Sequence, residues 1–309
     1  MEAWVDNVVN MINKFNDQFI ELGIRARGII SSRLHHDVRA IPSTDFIDAQ
    51  FDVSSPSPPR RFLAIISTPR SGSTLICDIL QQMKLGIPHE YFQHAQYAKV
   101  CAARWNVPIH FISRLPKNWQ QYGNELINHR TTENGIFSLN AHATHLHSFL
   151  SSNLWKNNNF EYIIIIRRDI ISQAISYAIA TQEMSWSSQY TPRTIAKYSF
   201  FYILRKAREL ARQYEMILRF SNSITYKVMV YEDFAGDPSD SVSTTLGISF
   251  SNVSTPKLQK QVSSYKEDFS TRFWEDADRY DYVDTINSLL ERHVQIERSL
   301  KTTALRREQ

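Results

Sequence analysis

Apolar residues at Trp4, Val8, Ile12, Phe15, Phe19 and Leu22 recur at steps of three and four, the period of one helix face. The polar side of this helix carries acids as well as lysine, which does not favour a membrane surface. The stripe is therefore expected to pack on protein, either the main domain or a second subunit. Asp52 to Arg60 breaks the pattern with a Pro- and Ser-rich stretch that reads as a linker. Residues 1–60 are thus expected to form an amphipathic helix and linker, and residues 61–309 the main domain with a C-terminal helix.

Beyond the linker the period alternates. Short apolar runs at Phe62–Ser67, Gly135–His142, Tyr162–Arg167 and Ser223–Tyr231 have the length and β-branched content of strands. Helical spacing marks Leu75–Met83, Asp169–Thr181, Thr194–Leu218 and Tyr282–Leu305, with helical pieces over residues 96–130. Strands alternating with helices predict an α/β fold, a P-loop-like parallel β-sheet flanked by helices.

Candidate chemistry begins where the first run ends. A loop between strand and helix aims several backbone N–H groups and the positive end of a helix dipole at one spot. Here Gly72 permits a tight turn, Arg70 adds a cation, and Ser71, Ser73 and Thr74 add hydroxyls. A nucleotide-kinase loop has two glycines followed by Lys and Ser or Thr. This one has a single glycine, no lysine and an arginine ahead of the glycine. It suits a 5′-phosphate carrying one further unit.

Arg167 and Arg168 stand where the third run emerges, the edge at which open parallel sheets bind ligands. With a helix starting near Asp169, Ser172 and Ser176 share a face. Arg168 and the Ser176 hydroxyl are expected to clamp a dianionic phosphate, and Arg167 to pair with Asp169.

The chain has 309 residues, 42% of them hydrophobic, enough for one large domain with additions. A net charge of +4, from 35 basic and 31 acidic residues, indicates neither a nucleic-acid stripe nor a polybasic membrane segment. Two cysteines, Cys77 and Cys101, imply neither a disulfide framework nor a zinc site. The N-terminus lacks a signal-peptide pattern and no apolar run approaches the ~20 residues of a membrane span, so a cytoplasmic location is expected.

Four segments carry a resemblance to a known family. Thr68–Asp78 (TPRSGSTLICD) resembles the 5′-phosphosulfate loop of sulfotransferases that use 3′-phosphoadenosine 5′-phosphosulfate (PAPS). Pro88–Phe92 (PHEYF) follows at the spacing seen in the bacterial trehalose 2-sulfotransferase, or Stf-zero, family. Ile163–Asp169, followed by Ser172–Tyr177, resembles that family's 3′-phosphate segment. Gln182–Trp186, Trp274 and Arg279–Tyr280 sit where the family has similar residues. The likeness runs from about Arg61 to Asp281.

The resemblance implies a sulfotransferase fold and transfer of a sulfuryl group from PAPS to a hydroxyl of a carbohydrate, glycolipid or other small acceptor. Sulfuryl transfer needs no metal in principle and no cluster of acidic ligands suggests one; the resemblance suggests a homodimer. By resemblance Glu90 is the catalytic base. His142 is its rival, since many other sulfotransferases carry Lys-x-His on a strand and this chain reads Asn140, Ala141, His142. The resembled family usually has lysine at the Asn140 position and no histidine two residues on. That departure leaves open a catalytically silent PAPS-binding protein; a nucleotide-dependent kinase is opposed by the missing loop lysine. Gln93, Gln182 and Trp186 are candidate acceptor contacts, and Tyr265–Tyr280 a candidate lid over the adenosine phosphate.

Overall fold

The computed structural model describes residues 10–25, 41–54, 56–157, 159–186, 191–248 and 265–308. Trp4 and Val8 of the N-terminal stripe lie outside them. The chain divides into two compact units. The larger comprises Ala40–Arg168, Gln213–Leu258 and Glu297–Gln309; the smaller comprises Met1–Arg39, Asp169–Arg212 and Gln259–Ile296.

The larger unit is an α/β layer built on four parallel strands: β1 (Arg61–Ser67), β2 (Ile136–His142), β3 (Phe160–Ile166) and β4 (Tyr226–Val230), in the order β2-β1-β3-β4. Strand residues alternate between faces. On one face Leu63, Ile65, Ile163, Ile165 and Met229 pack against α2 (Ser73–Gln82), the short α9 (Tyr231–Phe234) and α10 (Pro238–Leu246). On the other, Phe62, Phe137, Phe160 and Tyr162 join Phe149 of α5 (Leu146–Ser151) and Phe220 of α8 (Phe200–Ser221) in tilted and edge-on ring contacts. The remaining helices of this unit are α3 (Tyr97–Arg104), α4 (Trp119–Arg130) and α6 (Leu154–Asn157).

The stretch expected as a linker is bonded into the larger unit. The Asp52 carboxylate sits 2.8 Å from both Arg104 and the fully buried Arg130, and accepts the Trp105 indole N–H. The Val53 N–H donates to His129 and the Arg60 N–H to Gly135.

In the smaller unit, α1 (residues 10–25) and α7 (Ile170–Glu183) accompany the first part of α8, α11 (Lys266–Arg279) and the first part of α12 (Val283–Glu308). The helix predicted from Thr194 begins only at Phe200. Its start is set by distant residues, because the buried Asp17 carboxylate accepts the Phe200 and Phe201 N–H groups and Ser199 donates to it. The fourth strand is shorter than predicted, since Tyr231 turns into α9.

After α2 the chain turns back through Gly86 (φ +100°) to run beside β2, where the Asn140 N–H donates to His89 O. A Cβ on Gly86 would stand 2.0 Å from Ser138 Oγ. Gly86→Ala therefore combines left-handed strain with a clash inside the sheet face, and is expected to cost about 2–3 kcal/mol of unfolding free energy. A urea midpoint equal to wild type would contradict this account.

Candidate active site

The sheet order makes β1 a switch point: the chain steps from it to β2 on one side and returns to β3 on the other. Ligands bind outside the carboxyl ends of strands at such points. The loop from Thr68 to Gly72 occupies that position. Arg70 (φ +63°) and Gly72 (φ +90°) are both left-handed, and the buried Ser71 hydroxyl donates back to Thr68 O at 2.8 Å. Among the described residues no side chain caps the start of α2, and an open first turn of this kind presents N–H groups at the helix end. Gly72 is required twice over, by its φ and because a Cβ would stand 2.6 Å from Tyr231 Cδ2.

Beside this loop stand the two arginines at the end of β3. Arg167 points to the loop: its Nη1 donates to Arg70 O at 3.0 Å and its guanidinium lies 4.6 Å from the centre of the Tyr231 ring. Its backbone N–H donates to the Tyr214 hydroxyl. Arg168 is half exposed, with Nη2 at 3.1 Å from Asp233 and Nε at 3.5 Å from Glu297, and those carboxylates raise its pKa, the Asp233 hydrogen bond foremost. Asp169 caps α7, its carboxylate accepting the Ser172 N–H. Ser176 lies on α7, in the smaller unit.

The β1–β2 register pairs Ile65 with Asn140 and Ser67 with His142, so all four share the α2 face. Asn140 is buried and bridges strand to helix. Its Oδ1 accepts the Ser67 hydroxyl at 3.0 Å and its Nδ2 donates to Ser73 Oγ at 3.3 Å. A neutral amide thus occupies the place where the resembled family carries a cation, and it fixes a hydroxyl at the helix start.

Glu90 and His142 are brought together, with Glu90 Oε2 3.4 Å from His142 Nδ1. The His145 ring stacks on His142 at 5.2 Å, and His145 Nδ1 accepts the His142 N–H. His89 anchors the other side of Glu90: its Nδ1 accepts the Glu90 N–H and its Nε2 lies 2.8 Å from the buried Asp45 carboxylate. Burial pushes the Glu90 carboxyl above its ordinary range, opposed by nearby His145 and His89. Burial holds His142 and His145 down at about 3, so both imidazoles are neutral. His142 Nε2 is buried without a hydrogen-bond partner.

Donor atoms of Glu90, His142 and His145 lie within 4.8 Å of one another, as in a metal site. His145 Nδ1 already accepts a backbone N–H, which leaves its Nε2 as the ring nitrogen that could reach an ion there. Gln93 Oε1 is likewise taken, by the Gln96 N–H, and Gln182 binds the backbone of Lys197. In α11, the candidate lid, the Arg272 guanidinium lies over the Tyr198 ring at 3.9 Å, and Trp274 is partly exposed.

Sequence reasoning missed Arg167 as the loop-facing cation and missed the Asp45–His89 support. The parity of the strand was the available signal for the first; nothing local announces the second. Because both buried imidazoles bind protons far more weakly than in the unfolded chain, stability is complete above pH ~6.5 and is lost as pH falls toward 3. Denaturation at pH 7 and pH 5 should show a loss of about 2 kcal/mol per imidazole, about 4 kcal/mol for the pair, and imidazole resonances of His142 and His145 should not titrate between pH 8 and 5. A normal titration near pH 6.5 would refute the burial.

The family model for the Stf0 sulphotransferase matches residues 63–276. No curated protein matches the sequence. Similar solved structures include a sulfotransferase domain from the curacin biosynthetic pathway (17% identity, 64% of this chain and 76% of that one, TM-score 0.38). Others are a sulfotransferase from Alicyclobacillus acidocaldarius (14% identity, 74% and 94%, TM-score 0.36) and a sulfotransferase domain from the Synechococcus PCC 7002 olefin synthase (14% identity, 65% and 77%, TM-score 0.35). With more than half of its length matched by the family model, this chain belongs to the Stf0 sulphotransferase family.

Proposed function

We propose that the protein transfers a sulfuryl group from PAPS to a hydroxyl of a small acceptor, of the carbohydrate or glycolipid class. The supporting observation is the uncapped, left-handed loop at the switch point with a carboxylate and a hydroxyl-bearing helix start on the same sheet face. The loop amides and Arg70 hold the 5′-phosphosulfate, neutralising charge on the leaving phosphate. Ser71 contributes its backbone, since its hydroxyl is engaged by Thr68 O. Ser73 Oγ accepts from Asn140, which leaves its own O–H to donate to a sulfuryl oxygen. Arg168 binds the 3′-phosphate by exchanging Asp233 and Glu297 for the dianion.

Glu90 is the base. Its carboxylate is partly accessible, whereas His142 Nε2 is sealed from solvent. The acceptor oxygen attacks sulfur as the bond from sulfur to the phosphate oxygen breaks. The acceptor proton passes to Glu90, and adenosine 3′,5′-bisphosphate leaves. A carboxyl whose pKa is raised by burial suits this proton transfer near neutral pH. No step calls for a metal. A reducing cytoplasm fits the two buried free thiols, and no helix among the described residues is long and apolar enough to cross a membrane.

Calorimetry with adenosine 3′,5′-bisphosphate should show a saturable site, weakened about tenfold or more in Arg70→Ala, the loss of one charged contact. Glu90→Gln should keep that affinity within about threefold while transfer from labelled PAPS drops about 100-fold or more. No binding of the nucleotide would end the proposal. Full turnover in Glu90→Gln together with loss in His142→Ala would move the base to the histidine.

A further inference from the structure

Helix α1 is mounted the wrong way round for a helix that serves its own core. Amphipathic helices ordinarily turn their apolar stripe inward. Here the inward face is polar. Asp17 is buried and receives the Phe200 and Phe201 N–H groups, Glu21 lies 3.5 Å from Arg205, and Lys14 sits over the Tyr282 ring at 5.2 Å. These contacts fix the helix rotation, and they leave Met11, Ile12, Phe15, Phe19 and Leu22 between 51% and 67% exposed. A contiguous apolar face of this kind marks an interaction surface.

The spacing identifies the shape of what covers it. Ile12, Phe15, Phe19 and Leu22 follow steps of three, four and three, the a and d positions of a heptad, and the sequence keeps that register back through Val8, Val5 and Met1. A 3.5-residue seam suits another helix, packed knobs into holes. The flanking positions identify the partner's charge. Among the described residues Met11, Asn16 and Gln18 line the seam, and the one charge beside it there is Arg25 at the end of the helix. Two copies related by a two-fold axis meet there without like-charge repulsion along the seam. An anionic membrane would call for lysine or arginine along that rim, and Lys14 is committed to the opposite face. The five outward side chains offer ~100 Å² each, about 1,000 Å² across a two-fold pair, which reaches the lower range of specific interfaces.

We propose that the outward seam of α1 is a self-association surface whose occupant is the same helix of a second copy of this chain. The proposal is independent of the sulfuryl-transfer reading, since it uses none of the loop or Glu90 residues. Light scattering after size exclusion of the full chain should give a dimer. Phe15→Glu combined with Phe19→Glu should give a monomer with unchanged far-UV dichroism and with affinity for adenosine 3′,5′-bisphosphate within about threefold of wild type. In Phe15→Cys, mild oxidation should yield a covalent dimer, whereas Asn13→Cys on the inward face should not. The proposal fails if the wild-type chain is monomeric at about 50 μM, a concentration above the micromolar dissociation constants of the weaker specific interfaces. It also fails if the double variant stays dimeric, or if the wild-type monomer floats with phosphatidylglycerol vesicles.

Discussion

The register of β1 on β2 is the constraint on which the site depends. It pairs Ser67 with His142 and Ile65 with Asn140, and because side chains alternate along a strand it puts every polar end-of-strand group on the α2 face. A slip of one residue would send Asn140 and His142 into the ring cluster of Phe62, Phe137 and Phe160. The loop bearing Glu90 is tied to the same register, since the Asn140 N–H holds His89 O and Gly86 fits against Ser138. Loop, carboxylate and imidazole are therefore positioned by one strand pairing.

A single ring joins the second half of the site to that frame. Tyr231 closes on Gly72 so tightly that no Cβ fits, and the same ring carries the Arg167 guanidinium. Arg167 in turn holds the carbonyl of Arg70, which keeps that residue in its left-handed conformation. The loop is thus pre-shaped by neutral and cationic contacts on its underside, and its amides need no rearrangement to meet an anion.

How much of this could be read from the chain differs by element, for physical reasons. The strands at Phe62 and Tyr162 were legible because apolar β-branched runs of that length have no other stable use. The loop was legible because strand, turn and helix are local. The start of α8 was not, because Asp17 supplies its cap from 182 residues away along the chain. The division between Arg167 and Arg168 depends on side-chain parity at the strand's end, which a one-residue uncertainty in the boundary hides. Asp45 under His89 is likewise a tertiary contact with no local signature.

The least legible feature is also the most consequential. Sequence patterns make Glu90 and His142 competitors for one role, since each belongs to a different sulfotransferase arrangement. Folding puts them 3.4 Å apart, and burial shifts their proton affinities in opposite directions, up for the carboxylate and down for the imidazole, so that each is pushed toward its uncharged form. An imidazole held neutral cannot neutralise the carboxylate by ion pairing; it presents only a dipole. The carboxylate therefore keeps a raised affinity for a proton, which full pairing with an imidazolium would have cancelled. On the proposed reading, His142 serves Glu90 by staying uncharged, and the two residues answer one chemical requirement together.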